Sequence, residues 1–341
     1  MNNATFGKSG KTTSVEKPPS PPLPLSGKQY EIAYGDQRAV ITQVGATLRS
    51  YDVSGAPVID GFSENEICQS AKGQILAPWP NRLRDGKYTF GDKSGTAAID
   101  EPERHNAIHG LLRYYLWDLV TATQNYCRLR CRLAPQPAYP WWLEIQIEYR
   151  LTKSGLSVEV VASTPGEETA PFGIGFHPYL STGRHDLDGC RIMVPASVVL
   201  LVDDRMIPEG QHDVTGSQYD LRTPTLIGDM SLDTAYTGLQ RDADGIARVK
   251  LEPVGAERQV TLWMDSSFKY VQVFTADTLP NKSERRRMIA LEPMTCPANA
   301  LQTHADIIEL EPGKDFHARW GISMALGDTA SQYRNTEHHK N

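Results

Sequence analysis

Two short segments constrain this chain more than anything else in it. Cys127-Arg-Leu-Arg-Cys-Arg-Leu133 alternates without a break, with Cys127, Leu129, Cys131 and Leu133 on one side and Arg128, Arg130 and Arg132 on the other. Past a Pro-rich corner, residues 143–151 alternate again. Leu143, Ile145, Ile147, Tyr149 and Leu151 share one face; Glu144, Gln146, Glu148 and Arg150 take the opposite one. A period of two is the period of a half-buried strand, whereas a helix would scatter these residues around its circumference. If the two strands pair antiparallel, arginines lie across from glutamates, each pair worth about 0.2–1 kcal/mol.

The same texture fills the rest of the chain. Gly35-Asp36, Ser54-Gly55 and Lys153-Ser-Gly155 punctuate short apolar runs, and further strands are expected at 191–202, 247–252, 259–264, 270–275 and 288–292. The last two are expected at 305–310 and 316–324. Helical periodicity is nearly absent, with at most a short turn over 63–70, and no repeat or composition break divides the chain. The expectation is an all-β protein of packed sheets in one large domain, residues 28–327, with its chemistry on the loops. Before it runs a Pro-rich arm, residues 1–27, containing Pro18-Pro-Ser-Pro-Pro-Leu-Pro24; after it comes a polar tail, residues 328–341.

Composition narrows the function classes. With 341 residues and 40% hydrophobic content, the chain can bury a sizeable core. A net charge of −6 and a pI near 5.9 argue against a general nucleic-acid or anionic-membrane binder. Arg285-Arg286-Arg287 is the one basic cluster, and a solvated loop accounts for it. No apolar run reaches transmembrane length, and the amino end lacks the apolar core of a signal peptide. The five cysteines are an odd number, scattered and without a C-x-x-C pair, as expected of free thiols in a cytoplasmic protein.

Against this background a few polar residues stand out. Pro171-Phe-Gly-Ile-Gly-Phe-His-Pro-Tyr-Leu180 sets His177 among glycines that allow close backbone approach and aromatics (Phe172, Phe176, Tyr179) that can form apolar walls. Leu76-Ala-Pro-Trp-Pro-Asn-Arg82 places Asn81 and Arg82 in a rigid bend, where they could grip hydroxyls while Trp79 stacks on a sugar ring. His105-Asn-Ala-Ile-His-Gly110 has the spacing of half a zinc motif, but neither the glutamate nor the helical pattern, so no metal is expected. No glycine-rich phosphate loop is present, so no nucleotide is expected either. Glu292 precedes Pro293, which should stop the strand and leave the carboxylate at its rim as a candidate base. Gln272 breaks an apolar strand and needs a partner if buried. Each of these taken alone is also compatible with a structural role: a core histidine, a solvated arginine, a surface acid.

In their order along the chain, these pieces resemble the aldose 1-epimerase (galactose mutarotase) family. The match rests on Gly45-Ala-Thr-Leu48, Asn81-Arg82, Ile108-His-Gly110 with Trp117, Gly175-Phe-His-Pro-Tyr179, Asp233, Gln272, Leu291-Glu-Pro293, Leu310-Glu-Pro-Gly313 and Trp320. It runs from about residue 28 to 326. The resemblance implies a large antiparallel β-sandwich, the supersandwich, with a sugar site in an open cleft. It implies His177 as general acid and Glu292 as general base, with Asn81, Arg82, His109, Asp233 and Gln272 holding the sugar. Two departures mark a divergent branch: Leu111-Leu112 follows Gly110 where many members carry Gly-Gly, and Leu180 replaces a usual Phe.

The implied activity interconverts the α and β anomers of a free aldohexose, without cofactor. A hexose-phosphate 1-epimerase, with Arg84 or Arg113 at the phosphate end, is an alternative, as is a non-catalytic carbohydrate-binding member of the fold. A glycoside hydrolase would need two carboxylates, and only Glu292 stands out. The expected partner is a monosaccharide, bound by a monomer or homodimer, with no nucleic acid and no membrane. Acid and base are expected to face each other across the cleft, too far apart for a direct hydrogen bond. Asp233 is expected to keep His177 charged, and Trp79 or another aromatic to stand at the wall.

Overall fold

The computed structural model describes residues 22–183, 186–255 and 258–326. Strands dominate it, and the one α-helix among the described residues is the single turn Ala300–Thr303. The 63–70 segment expected to make a helical turn forms non-helical turns instead. Two large antiparallel sheets carry the architecture, one of twelve strands and one of nine. This is the supersandwich type of β-sandwich expected from the sequence.

The two alternating segments lie side by side in the nine-stranded sheet as Tyr126–Leu133 and Leu143–Thr152. Their register sets Arg128 opposite Glu148 and Arg132 opposite Glu144, and both pairs are bonded. Leu143, Ile145, Ile147, Tyr149 and Leu151 are all fully buried. At roughly 1.5–3 kcal/mol for each large apolar side chain, this burial far outweighs the ion pairs on the outer face.

One apolar cluster draws on the inner faces of both sheets. Tyr149 reaches across to donate its hydroxyl to the Ala46 carbonyl at 2.8 Å. Phe176 packs against Trp320 with ring centroids 4.9 Å apart. The centre of the twelve-stranded sheet is different in kind. Its strands Tyr270–Phe274 and Ile289–Met294 are almost wholly buried, so both faces are covered. Val271, Val273, Ile289 and Leu291 point into the main core. Alternation then sends Gln272, Phe274, Ala290 and Glu292 to the other face, and the functional residues collect there.

The arm expected over residues 1–27 lies outside the described residues as far as 21, as does the tail 328–341. Within the described part, Ser26 is buried and its hydroxyl donates to the Glu64 carbonyl at 3.1 Å. No helix among the described residues is long and apolar enough to cross a membrane. All five cysteines are buried, and none forms a disulfide among the described residues.

Candidate active site

A cavity of about 310 Å³ opens on that second face, near the lower end of the range for small-molecule sites. Asn81, Arg82, His109, His177, Asp233 and Glu292 all line it. Gln272 stands directly behind, opposite Glu292 in register, with its amide donating to Asp233 Oδ1 at 2.6 Å.

Most of these groups sit in or beside strands, not on the loops the sequence suggested. Glu292 is a mid-strand residue, because the strand runs on through Pro293 to Met294. The expected stop at Pro293 does not occur, for a local reason. On one side of this strand Tyr179 pairs with Ala290 and Gly175 pairs with Met294, and the ladder is interrupted between them. Pro293 falls in that interruption, where its missing N–H leaves no gap in the hydrogen bonding. The same interruption releases His177 from the sheet. Its backbone N–H donates to the Gln74 carbonyl at 3.1 Å, and its carbonyl accepts from Gly73 at 2.9 Å.

His109 and Asn81 are fixed as a unit. Both adopt left-handed backbone, with φ of 64° and 56°. The Asn81 N–H donates to His109 Nδ1 at 3.2 Å, which makes Nδ1 an acceptor and leaves the ring proton on Nε2. Gly110 makes this turn possible. Its φ is +68°, and a Cβ there would come within 2.1 Å of the Ala77 carbonyl oxygen. Burial, reinforced by His177 and by Arg113 and Arg82, holds the His109 imidazole well below its ordinary pKa. It is therefore a neutral donor. His105, its partner in the apparent half-motif, is exposed and bonds Asp85, away from the cavity.

Arg82 is held by a residue the sequence did not single out. Glu101 accepts from Arg82 Nε at 2.9 Å and from Nη2 at 2.9 Å, and from Asn106 Nδ2 at 2.9 Å. Burial raises the Glu101 carboxyl, but the Arg82 hydrogen bonds and charge outweigh it and hold the pKa below the usual range. Arg82 Nη2 also lies 4.0 Å from Asp233. Nothing local in the sequence marks Glu101, which precedes Pro102 in an ordinary-looking turn. Only its bridge to Asn106 brings it to Arg82.

His177 and Glu292 meet directly. Nε2 lies 3.2 Å from Oε1, and both side chains are almost fully buried. The expected separation across the cleft is therefore not found. The anomeric and ring oxygens of a hemiacetal share one carbon, so the two groups that serve them have no need to stand apart. Burial disfavours both charged forms. It pushes the His177 imidazole down to about 3. It also pushes the Glu292 carboxyl well above its ordinary value, Asp233 adding to the effect. Burial thus favours the neutral form of each group, with the proton of the pair on the Glu292 carboxyl. This also corrects the idea that Asp233 keeps His177 charged, since Asp233 is engaged with Gln272 and Arg82. Glu292 Oε2 is buried with no partner among the described residues.

Two further expectations are revised. Trp79 is a core residue and does not reach the cavity; Tyr179 and Phe274 form its aromatic wall. Tyr179 stacks on His177 with ring centroids 5.0 Å apart. Phe172 and Phe176 also face the core, as strand alternation requires once His177 and Tyr179 face the cavity. In addition, the cavity holds three carboxyl groups, Glu101, Asp233 and Glu292, of which the sequence had offered Asp233 and Glu292 but not Glu101. Of the two arginines considered for a phosphate, Arg113 lines the cavity, whereas Arg84 turns to Asp203.

Comparison with known proteins shows the fold and the family. The uncharacterized protein YihR of Escherichia coli is 30% identical over 290 residues, spanning 85% of this chain and 91% of its own length. The solved GalM/aldose epimerase homologue of C. elegans superimposes with a TM-score of 0.78 at 17% identity, covering 88% of this chain and 99% of that one. Galactose 1-epimerase of Lactobacillus acidophilus gives a TM-score of 0.72 at 17% identity, again over 88% and 99% of the two chains. The family model described as aldose 1-epimerase matches residues 28–323, and the chain belongs to that family.

Proposed function

We propose that this protein is an aldose 1-epimerase that interconverts the α and β anomers of a free aldohexose, with His177 as acid and Glu292 as base. One observation carries the reading. Two buried titratable groups from distant parts of the chain, His177 and Glu292, lie 3.2 Å apart at the wall of a cavity of about 310 Å³.

The reaction asks for a proton to leave the anomeric hydroxyl and another to reach the ring oxygen. Glu292, which lines the cavity, takes the first. His177 delivers the second as the C1–O5 bond breaks, giving the open-chain aldehyde. After rotation about C1–C2, the O5 hydroxyl adds to the other face of the carbonyl and the protons return along the same routes. Each group contributes ~10²–10⁴-fold when well placed. For this assignment the shared proton must first cross from Glu292 to His177, a step the short contact permits. The remaining groups hold the sugar still. His109 Nε2–H and the Arg82 guanidinium donate to hydroxyls, Asp233 accepts, and Gln272 fixes Asp233.

A hexose phosphate is the second reading, favoured by Arg104 and Arg113 at the cavity wall. Both already face a carboxylate, Arg113 that of Asp100 and Arg104 that of Glu101, which Arg82 shares, and this favours the uncharged sugar. The deciding experiment is polarimetry of freshly dissolved α-glucose, α-galactose and glucose 6-phosphate with purified protein. Acceleration on a free sugar supports the proposal. Acceleration on the phosphate alone selects the second reading, and binding without acceleration leaves a carbohydrate-binding module.

A further inference from the structure

The connection between the central strands Tyr270–Phe274 and Ile289–Met294 carries part of the cavity wall, Thr278, Leu279 and Pro280. Near its end comes Arg285-Arg286-Arg287, the basic cluster expected to be a solvated loop. Two of these arginines instead turn back onto the chain. Arg285 Nε donates to the Leu279 carbonyl at 2.7 Å. The Arg286 side chain is only 23% exposed. Its Nε donates to Asp188 at 2.7 Å, Nη1 to the Met230 carbonyl at 2.9 Å and to Asp277, and Nη2 to the Gly228 carbonyl at 2.6 Å. Arg286 has left-handed backbone with φ of 55°, as has Ala276 at the start of the same connection with φ of 62°. Residues with a Cβ hold that conformation only where the contacts around them fix it.

These bonds lead to Asp233. That residue opens its strand, Asp233–Leu239, and residues 228–232 before it lie outside the sheet. Arg286 ties them down at Gly228 and Met230, and Thr275 ties them at Leu232. The Leu232 N–H donates to Thr275 Oγ1 at 2.8 Å, and the Thr275 hydroxyl donates to Asp277, the carboxylate that Arg286 grips. Burial raises the Asp277 carboxyl, but the hydrogen bonds from Thr275 and Arg286 outweigh it and hold the pKa below its ordinary value. Asp277 therefore stays an acceptor for both. Arg286 is not among the residues that line the cavity, so it acts on the site through these neighbours.

We propose that Arg286 is a positioning residue for the anomer interconversion. Its guanidinium fork locks residues 228–232 to the 275–280 wall and so fixes Asp233 where it accepts from a sugar hydroxyl. This role rests on the reaction proposed above and adds to it what aims Asp233 from outside the cavity. A planar fork serves acceptors in several directions at once, whereas an ammonium group is a single point of charge. Arg286→Lys therefore keeps the charge and one ion pair but gives up the carbonyls of Gly228 and Met230.

The test is a double-mutant cycle on the full-length protein, with kcat and KM read by polarimetry on freshly dissolved α-glucose and α-galactose. Arg286→Met is expected to raise KM about tenfold, the effect of losing hydrogen bonds made by a charged group, with kcat within about threefold of wild type. In an Asp233→Asn background, where the aimed carboxylate is already gone, the same substitution is expected to change KM by less than about twofold. A substitution that merely loosens the fold would act alike in both backgrounds. Arg286→Lys is expected to raise KM about threefold, and it carries the same comparison if Arg286→Met does not fold. An unchanged KM in either Arg286 variant, or an equal rise with and without Asp233→Asn, overturns the positioning role and leaves the anomer reading standing. Wild-type protein that turns over neither sugar nor glucose 6-phosphate overturns both together.

Discussion

His177 Nε2 stands 3.2 Å from Glu292 Oε1, and the contact joins an interrupted ladder position to the middle of a neighbouring strand. Each partner faces one polar atom of the other, while His177 Nδ1 and Glu292 Oε2 stay buried without a partner among the described residues. Glu292→Gln keeps the shape and removes the base; His177→Asn removes the acid. Each is expected to lower kcat by about two to four powers of ten with KM little changed, as measured by polarimetry. A Glu292→Gln enzyme that mutarotates sugars at the wild-type rate would falsify the mechanism.

The pH profile follows from where the proton rests. His177 is pushed down to about 3, so on the acid side the singly protonated pair survives until it takes a second proton near that value. Glu292 is raised well above its ordinary value, so on the alkaline side the pair keeps its proton beyond the usual carboxylate range. The expected kcat/KM profile is a broad bell whose limbs belong to the pair. An acid limb close to an ordinary imidazole value would show that burial does not set the proton's position.

Stability should respond to pH at the same residue. The folded pKa of Glu292 lies well above the ordinary value of 4.5. Above pH 4.5 the unfolded chain therefore releases a proton that the folded protein keeps, and the folded state loses ground as pH rises. Glu292→Gln has no such proton and can still donate to His177. Its Tm should equal the wild type's near pH ~4 and exceed it by at least about 2 °C at pH ~8. A difference that does not grow with pH would count against a buried, protonated carboxyl.

Arg82 and Glu101 should separate binding from positioning. Arg82→Ala removes a hydroxyl donor and is expected to raise KM and lower kcat together. Glu101→Gln leaves Arg82 in place but weakens the two contacts that aim it. At roughly 1.5–3 kcal/mol for a hydrogen bond to a charged group, KM should rise about tenfold with a smaller effect on kcat. A Glu101→Gln enzyme with unchanged KM would show that Arg82 is aimed by something else.

Much of this could be read along the chain. The alternation at 127–133 and 143–151 settles its own element type, because a period of two can bury one face only in a sheet. His177, Asn81, Arg82 and His109 were visible because glycines and prolines around them restrict the backbone, a local property. Three-dimensional placement was less legible. Trp79 sits in the same rigid bend as Asn81, yet it points to the core while Asn81 and Arg82 turn to the cavity. Glu101 carries no local signal at all.

The sequence by itself therefore determined the fold class and which polar residues were candidates, since these follow from periodicity and from local backbone restriction. Only the tertiary structure decided that Glu292 is mid-strand, that it lies beside His177, and that burial favours the neutral form of each. Those outcomes depend on which strand lies beside which and on how much water the packing excludes. Neither is a property of any one segment.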